Sequence, residues 1–316
     1  MSLESIAVTW LLFAAGIVLI VKGGDLFVDA AGWIAQVSGI PKFIVGATIV
    51  SVATTMPEII VSVIAALEGK VDMAVGNAVG SVTVNTAVIL SLSMIFMDLP
   101  APRREYLPKG LLFLGAAVLL YLPGRTGELA VWGVIALAGI FVAYLLENLG
   151  QARSGMAQSE RVSCTGKELA YQIALFLLGA AGVVAGSRLL VDNGSILAEH
   201  FGVPERVIAL TLVSVGTSLP ELVTAVSALI KREAGLSAGN VIGANILDLT
   251  LVLPAASAAY GGALPVTAES LRLDFPFCIL VSAVAILPVL VTEKFHRWQG
   301  IALIVLYVVY LYLTLF

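Results

Sequence analysis

The sequence predicts an all-α membrane protein with ten transmembrane helices, arranged as two inverted five-helix repeats. The 316-residue chain is 59% hydrophobic and 12% charged, whereas ordinary soluble domains contain about 25% charged residues. Its apolar runs approach the roughly 20 residues that span a bilayer. A polar motif also occurs twice, and 163 residues separate its two prolines, Pro57 and Pro220. Together these features predict a polytopic protein built from two related halves.

Charged and turn-forming residues divide the apolar runs into ten predicted spans. The run 107–123 is short and bracketed by prolines, so it requires little tilt or a locally thin bilayer. The predicted units are a first repeat at 1–148, a polar connecting loop at 149–167 and a second repeat at 168–316. The predicted spans are 5–22, 42–67, 73–97, 107–123, 129–148, 168–190, 204–230, 235–260, 272–292 and 298–315.

The repeat keeps one register well beyond the motif. At the same offset, Gly23 matches Gly186, Asp29 matches Asp192, Pro41 matches Pro204, Gly76-Asn77 matches Gly239-Asn240, and Asn85 matches Asp248. An odd number of spans in each copy places the copies in opposite orientations. Inverted repeats are typical of secondary transporters, whose binding site lies near the bilayer midplane between the copies.

The distribution of Lys and Arg predicts the orientation, because cytoplasmic loops are enriched in both residues. With the N-terminus outside, five of the 17 basic residues fall in external connections and twelve in cytoplasmic ones. We therefore expect both termini outside and the loop 149–167 in the cytoplasm. The external basic residues would be Lys70, Arg125, Arg188, Arg206 and Arg272.

Glu58 and Glu221 are carboxylates inside apolar runs, and charge at that depth by default indicates a functional site. Each follows a proline, which lacks an N–H and breaks the helix. Broken backbone at membrane depth is tolerated where it lines a polar cavity or is buried in protein. Freed carbonyls, nearby hydroxyls and the two carboxylates form an oxygen-only set, which suits hard cations such as Ca²⁺ and Na⁺.

The helix that follows the broken segment in each copy is predicted to form the opposite wall of the cation site. Gly76 and Gly80 are four residues apart, a spacing that permits close helix packing in membranes. Asn85 and Asp248 follow one to two turns later. With the glutamates, Asp248 brings up to three negative charges into a low-dielectric region, so the cluster requires cations, protons or water. The competing interpretation of Asn85 is an interhelical hydrogen bond.

The paired segments resemble the two α-repeats of the calcium/cation antiporter superfamily, most closely its prokaryotic sodium/calcium exchangers. The matching stretches are Ala53-Thr-Thr-Met-Pro-Glu58 and Gly216-Thr-Ser-Leu-Pro-Glu221, each followed by a G-N-x-x-G segment. The resemblance implies Na⁺ influx driving Ca²⁺ extrusion by alternating access. It also implies a set of ion-binding residues: Glu58, Glu221, Asn85, Asp248, Thr54, Thr55, Thr217, Ser218, Ser81, and Ser51 and Ser214 through their carbonyls.

Three residues depart from the family pattern. Ala53 replaces a glycine, Thr55 replaces a serine, and Ala244 stands where many relatives have serine. The loss of a hydroxyl at Ala244 leaves both the sodium stoichiometry and the choice of driving ion open. For the threonines, a hydrogen bond to their own helix backbone is the competing interpretation.

We therefore expect a plasma-membrane antiporter that exports Ca²⁺ in exchange for Na⁺. A proton-coupled cation/Ca²⁺ exchanger of the same fold is the alternative, and K⁺ dependence stays open. An intramembrane hydrolase is disfavoured because the two glutamates have nearly identical neighbours, whereas acid–base pairs need different environments. A passive channel is the remaining alternative. We expect the protein to reside in the lipid bilayer and to transport Ca²⁺ and Na⁺. We expect no cofactor, no nucleic acid and no obligatory protein partner.

Overall fold

The computed structural model describes residues 3–97, 99, 101–158, 164–202 and 216–315. Two short strands, β1 (Glu128–Leu129) and β2 (Leu264–Pro265), pair antiparallel beside the helices. The helices are α1 (Leu3–Ser38), α2 (Lys42–Val45), α3 (Ser51–Thr54), α4 (Met56–Leu67), α5 (Val71–Val84), α6 (Ser91–Phe96), α7 (Arg103–Gly124), α8 (Val131–Gln158), α9 (Gly166–His200), α10 (Leu219–Ile230), α11 (Ala234–Leu247), α12 (Leu253–Tyr260), α13 (Phe275–Thr292) and α14 (Arg297–Leu315).

π-Helical turns join several of these helices end to end. In the described chain they are Gly46–Val50, Asn85–Leu90, Asp248–Val252 and Ser270–Asp274. Such turns are rare and occur frequently at functional sites. Two of them begin at Asn85 and Asp248, which the sequence had singled out for other reasons.

The helices are long and apolar enough to cross a membrane at eight places within the described ranges. The bent pair Lys42–Thr54 and Met56–Leu67 raises the number to nine when its two helices are counted as one broken span. These nine coincide with nine of the predicted spans. The remaining prediction, 204–230, lies partly outside the described residues, and its described helix Leu219–Ile230 is short. A tenth span therefore stays a prediction.

Three predicted boundaries are wrong, and one of them is the end of the span 168–190, because α9 continues to His200. The first helix does not end at residue 22 but continues to Ser38. Packing against neighbouring helices overrides the low helix propensity of glycine there, since Gly23 contacts α9 and Gly24 contacts α10. The connecting loop is also shorter than 149–167, since α8 continues to Gln158 and α9 begins at Gly166. The polar end of α8 is helical and packs on α2: a Cβ at Gly155 would lie 2.6 Å from Pro41 Cδ.

Helix α7 is longer than the predicted run 107–123 and contains Pro108 in its interior. A proline there leaves the carbonyl four residues earlier, that of Arg104, without its usual partner. Gln151 of α8 donates its side-chain amide to that carbonyl at 2.7 Å. The neighbouring helix thus replaces the lost bond, and α7 continues through the proline.

The centre of the molecule is formed by α5 and α11 with their continuations. Within Val71–Phe96 and Ala234–Tyr260, 72% and 78% of the most apolar stretch is buried, against 17–44% for the other long spans. At the periphery α1 and α9 pack along one another through glycines. A Cβ at Gly23 would lie 2.8 Å from the Val183 nitrogen, so the two backbones are in contact.

The sequence repeat is also a repeat of secondary structure. Helices α4 and α10 begin and end at equivalent positions of the two copies, and so do α5 and α11. A π-helical turn follows α5 at Asn85 and α11 at Asp248. The two copies therefore place their motif residues on matching structural elements.

Candidate ion-binding site

The chain bends by 42° between α3 and α4. Thr55 lies between the two helices, and Pro57 occupies the first turn of α4. Since proline has no N–H, the carbonyl of Ala53 loses its usual helical partner. In the second copy Pro220 occupies the same place in α10. The predicted break is therefore present in the first copy, and the described part of the second copy has the matching helix start.

Both motif glutamates are buried in the first turn of their helices, where backbone N–H groups favour negative charge. Glu58 is 0% and Glu221 1% exposed. Among the described residues, none of their four carboxylate oxygens has a hydrogen-bond partner. A buried charge is costly unless it is paired. These oxygens are therefore suited to bind a cation or a proton.

The hydroxyls around the glutamates are not used to cap helices. Thr55 and Ser218 occupy the N-cap positions of α4 and α10, but neither side chain caps its helix. Both hydroxyls are buried and lack a partner within the described ranges. Thr54 and Thr55 interact with the Glu221 carboxylate, although not at full hydrogen-bond geometry. Two residues of the first copy therefore lie beside the glutamate of the second.

The second wall of the site comes from the opposite copy. Helix α4, which carries Glu58, contacts the turn that Asp248 begins, and α10, which carries Glu221, contacts the turn that Asn85 begins. Asp248 and Asn85 are each 1% exposed. Their side-chain oxygens have no hydrogen-bond partner in the described part of the chain. The charge of Glu58 is close enough to act on both Glu221 and Asp248.

Two asparagines that the sequence reasoning left out connect the copies. Thr54 Oγ1 donates to Asn240 Oδ1 at 3.1 Å, and Thr217 Oγ1 donates to Asn77 Oδ1 at 3.1 Å. The Asn77 amide also donates to the Glu58 carbonyl at 3.3 Å. These asparagines match one another in the repeated G-N segment, which was the available indication of their importance.

The serines of the predicted set are placed differently from one another. The Ser51 carbonyl accepts hydrogen bonds from the Thr55 nitrogen at 2.9 Å and from Thr54 Oγ1 at 3.3 Å. The Ser81 hydroxyl is buried and has no partner among the described residues. Ser214 lies outside the described residues.

The carboxylates alone do not form a compact metal centre. Within the described ranges, no three His, Cys, Asp or Glu side chains converge closely enough to hold one ion. Glu58 nevertheless lies close enough to Glu221 and Asp248 for the three charges to interact. This arrangement differs from a single tight carboxylate cluster.

A cavity of about 610 Å³ leads to this polar interior from one side. Its lining includes the buried Ser81, the partly buried Asn77 and Thr217, and the exposed Met73 and Asp192. A cavity that ends at buried oxygens provides an access route for small ions. The fold and this interior define a helical membrane protein of the cation-transporter class.

Comparison with known proteins identifies the family. The family described as sodium/calcium exchanger protein matches residues 8–149 and 171–316, and the chain belongs to it. Inner membrane protein YrbG of Escherichia coli is 35% identical over 77% of each chain. Sodium/calcium exchanger MaX1 of Methanosarcina acetivorans is 28% identical and covers 97% of this chain and 98% of its own.

The fold agrees with the family assignment. A structure of the sodium-calcium exchanger NCX_Mj, soaked with Na⁺ and Sr²⁺, matches with a TM-score of 0.84 at 27% identity, covering 96% of this chain and 98% of that one. The resemblance to calcium/cation antiporters is confirmed. The protein is accordingly a membrane transporter of the cation/Ca²⁺ antiport type.

Proposed function

We propose that this protein exports Ca²⁺ across the plasma membrane in exchange for Na⁺, by alternating access. The observation that carries the proposal is the pair Glu58 and Glu221. Each is fully buried on a matched helix start, and each lacks a partner among the described side chains. Carboxylate, hydroxyl and carbonyl oxygens are the ligands that Ca²⁺ prefers. The relative MaX1 and the solved NCX_Mj are both named as sodium/calcium exchangers, which supports the choice of ions.

In this proposal the transported ions are substrates, and the residues have distinct roles. Glu58 and Glu221 bind Ca²⁺ together and share Na⁺ when Ca²⁺ is absent. Asn85 and Asp248 complete the centre from the second wall. The buried hydroxyls of Thr55, Ser81 and Ser218 have no partner within the described ranges, and they supply oxygens for monovalent sites beside the divalent one. The flanking oxygens come from Thr54, Thr55, Thr217, Ser218, Ser81, Ser51 and Ser214.

The proposed architecture is two inverted five-helix repeats, 1–148 and 168–316, joined in the cytoplasm. Both termini lie outside. Lys70 is external in this orientation and follows α4 near the cavity, so the cavity opens to the outside. The matched bounds of α4 with α10 and of α5 with α11 support the repeat. An external cavity is the route by which Na⁺ reaches the site.

A proton-coupled exchanger is the second candidate, and one observation favours it. Ser81 has an unpartnered hydroxyl, whereas its counterpart Ala244 has none and is completely buried. One flanking position therefore lacks a side-chain oxygen for Na⁺. Buried carboxylates are also able to bind protons in place of monovalent cations.

Uptake of radioactive Ca²⁺ into proteoliposomes distinguishes the two candidates. Na⁺, K⁺ and H⁺ gradients are imposed separately, with an ionophore to clamp the membrane potential. We expect uptake when vesicles loaded with Na⁺ are diluted into Na⁺-free medium, and none with K⁺ or H⁺ alone. Uptake that follows the pH gradient and ignores Na⁺ would establish the proton-coupled alternative. Protein-free vesicles measure the leak.

A further inference from the structure

A tyrosine of α8 reaches into the π-helical turn that precedes the broken segment of the first copy. Tyr144 is 1% exposed, and its hydroxyl donates to the Ala47 carbonyl. Ala47 lies in the turn Gly46–Val50, which leads directly into α3. Helix α8 contributes no residue to the proposed ion-binding set, yet it supplies a polar group to the backbone next to that set.

The Ala47 carbonyl lies where the regular pattern of helical hydrogen bonds is interrupted. The backbone N–H groups at the end of the turn bond to the carbonyls on either side of it, those of Gly46 and Thr48. Ala47 is 0% exposed, so bulk water does not reach its carbonyl. A buried carbonyl needs a partner, and a side chain inserted into the hydrogen-bond ladder is a known cause of irregular helix geometry. Tyr144 supplies a hydrogen bond at this point of irregularity.

The turn determines which way the hydroxyls after it face. A π-helical turn contains one more residue than an α-helical turn, and one residue corresponds to about 100° of rotation around the helix axis. Thr54 and Thr55 follow the turn and lie beside the Glu221 carboxylate. If the turn returned to regular α-helix, both hydroxyls would rotate by about this angle. The π-helical turn is therefore a condition for the observed placement of these ligands.

Two helices hold the turn from different sides. A Cβ at Gly243 of α11 would lie 2.7 Å from the Ala47 carbonyl oxygen and 2.6 Å from Ser51 Oγ, so the backbone of α11 packs directly against the turn. The Ser51 side chain also interacts with the Tyr144 hydroxyl. Helix α8 contacts the π-helical turn that Asp248 begins as well. A helix outside the site thus contacts an element of each copy that leads to ion-binding residues.

We propose that Tyr144 is a positioning residue of the ion site. Its hydroxyl maintains the turn Gly46–Val50 and thereby keeps Thr54 and Thr55 directed toward the bound ion. Tyr144 acts through the Ala47 carbonyl and does not touch the ion. This inference rests on the proposed function for the identity of the ion, whereas the effect of the hydroxyl on the turn is measurable without any ion.

The test compares two buried tyrosines. Tyr144→Phe removes the hydroxyl and keeps the ring. Tyr106→Phe is the matched control, because Tyr106 is also 1% exposed and its hydroxyl has no partner among the described residues. Deuterium uptake by the backbone amides of residues 43–58 is measured by mass spectrometry in detergent without Ca²⁺. The Ca²⁺ dependence of Na⁺-driven uptake is measured separately in proteoliposomes.

We expect Tyr144→Phe to raise the rate of deuterium uptake in this segment about two- to tenfold, as for the loss of one neutral hydrogen bond. The Ca²⁺ concentration for half-maximal flux should rise by a similar factor, because the threonine ligands are no longer held in place. Tyr106→Phe should change neither quantity. Ser51→Ala removes the second link to the hydroxyl and should raise deuterium uptake to a smaller extent, so it serves if Tyr144→Phe is poorly folded.

Unchanged deuterium uptake in Tyr144→Phe would overturn the proposal even if Ca²⁺ flux is normal. Faster deuterium uptake with an unchanged Ca²⁺ dependence would also overturn it, because the hydroxyl would then stabilise the turn without positioning the ligands. Equal changes in Tyr144→Phe and Tyr106→Phe would assign the effect to packing and reject the proposal. Faster uptake in Tyr144→Phe alone, in a protein whose wild type has no Ca²⁺ flux, would retain the role of Tyr144 in the turn and reject the proposed function.

Discussion

Thr54 and Asn240 form a 3.1 Å hydrogen bond that joins the two copies of the repeat, and Thr217 and Asn77 repeat it at 3.1 Å. In each bond the threonine of one copy is oriented by the amide of the other. The two bonds differ in their surroundings, since Asn240 is fully buried and Asn77 lines the cavity. The proposed ion site is therefore built from residues of both copies.

Replacing Asn240 with alanine should weaken Ca²⁺ binding. Thr54 would lose its acceptor in a fully buried setting, and a lost hydrogen bond of this kind is worth about 0.5–1.5 kcal/mol. We expect the Ca²⁺ concentration for half-maximal flux to rise about two- to tenfold. Asn77→Ala should have a smaller effect, because water in the cavity is able to replace its oxygen.

Asn193→Ala is the control for both variants. Asn193 is a buried asparagine whose amide donates to the Leu189 carbonyl of its own helix at 2.8 Å. It should leave the Ca²⁺ dependence of flux unchanged. An effect of Asn193→Ala equal to that of Asn240→Ala would show that packing, and not the bond to Thr54, determines the affinity.

Gly239 of the repeated G-N segment should be essential for stability, and its counterpart Gly76 should not. A Cβ at Gly239 would lie 2.1 Å from the Phe43 carbonyl oxygen, whereas none of the described atoms lies within 4 Å of one at Gly76. Overpacking of this kind costs about 1–3 kcal/mol. We expect Gly239→Ala to lower Tm by several degrees in a fluorescence-detected thermal assay, and Gly76→Ala to leave it nearly unchanged. Equal losses would contradict the packing described here.

Lys109 should stabilise α7 against α8 through its charge. Its ammonium group is completely buried, 2.8 Å from Glu147 Oε2 and 3.0 Å from Gln151 Oε1. Removing one member of a buried pair costs about 3–5 kcal/mol, and less here because the Glu147 side chain is 19% exposed. We expect Lys109→Met to lower Tm markedly.

The double variant Lys109→Met with Glu147→Leu should recover part of that loss, since it no longer buries an unpaired charge. Thermal unfolding of the wild type, both single variants and the double variant forms a complete cycle. Strictly additive effects would mean that the two side chains do not interact.

The repeated motif was the feature of the sequence that predicted most about this protein. It placed Glu58 and Glu221 on helix starts that follow a break, because a proline acts locally and its effect is readable from one chain. The contacts between copies were not readable in the same way. In the sequence Asn77 and Asn240 were recognisable only as matching positions of the repeat. Their role as hydrogen-bond acceptors depends on threonines about 140 and 186 residues away in the chain.

The predicted helix ends were wrong where contacts with a neighbouring helix override the preference of the local sequence. Pro108 indicated a helix end, but Gln151 supplies the missing hydrogen bond from α8. The polar residues after 148 indicated a loop, but they continue α8 toward Pro41. The π-helical turns at Asn85 and Asp248 were equally unpredictable, because one inserted residue hardly changes the apolar pattern of a buried helix.

The central claim is that Glu58 and Glu221 bind the transported Ca²⁺ together, one carboxylate from each copy. The most direct test is Na⁺-driven uptake of radioactive Ca²⁺ by proteoliposomes containing Glu58→Gln or Glu221→Gln, with the exposed Glu128→Gln as the matched control. We expect either site variant to abolish uptake while remaining folded and inserted, and Glu128→Gln to transport at the wild-type rate. Normal Ca²⁺ flux by either site variant would contradict the account.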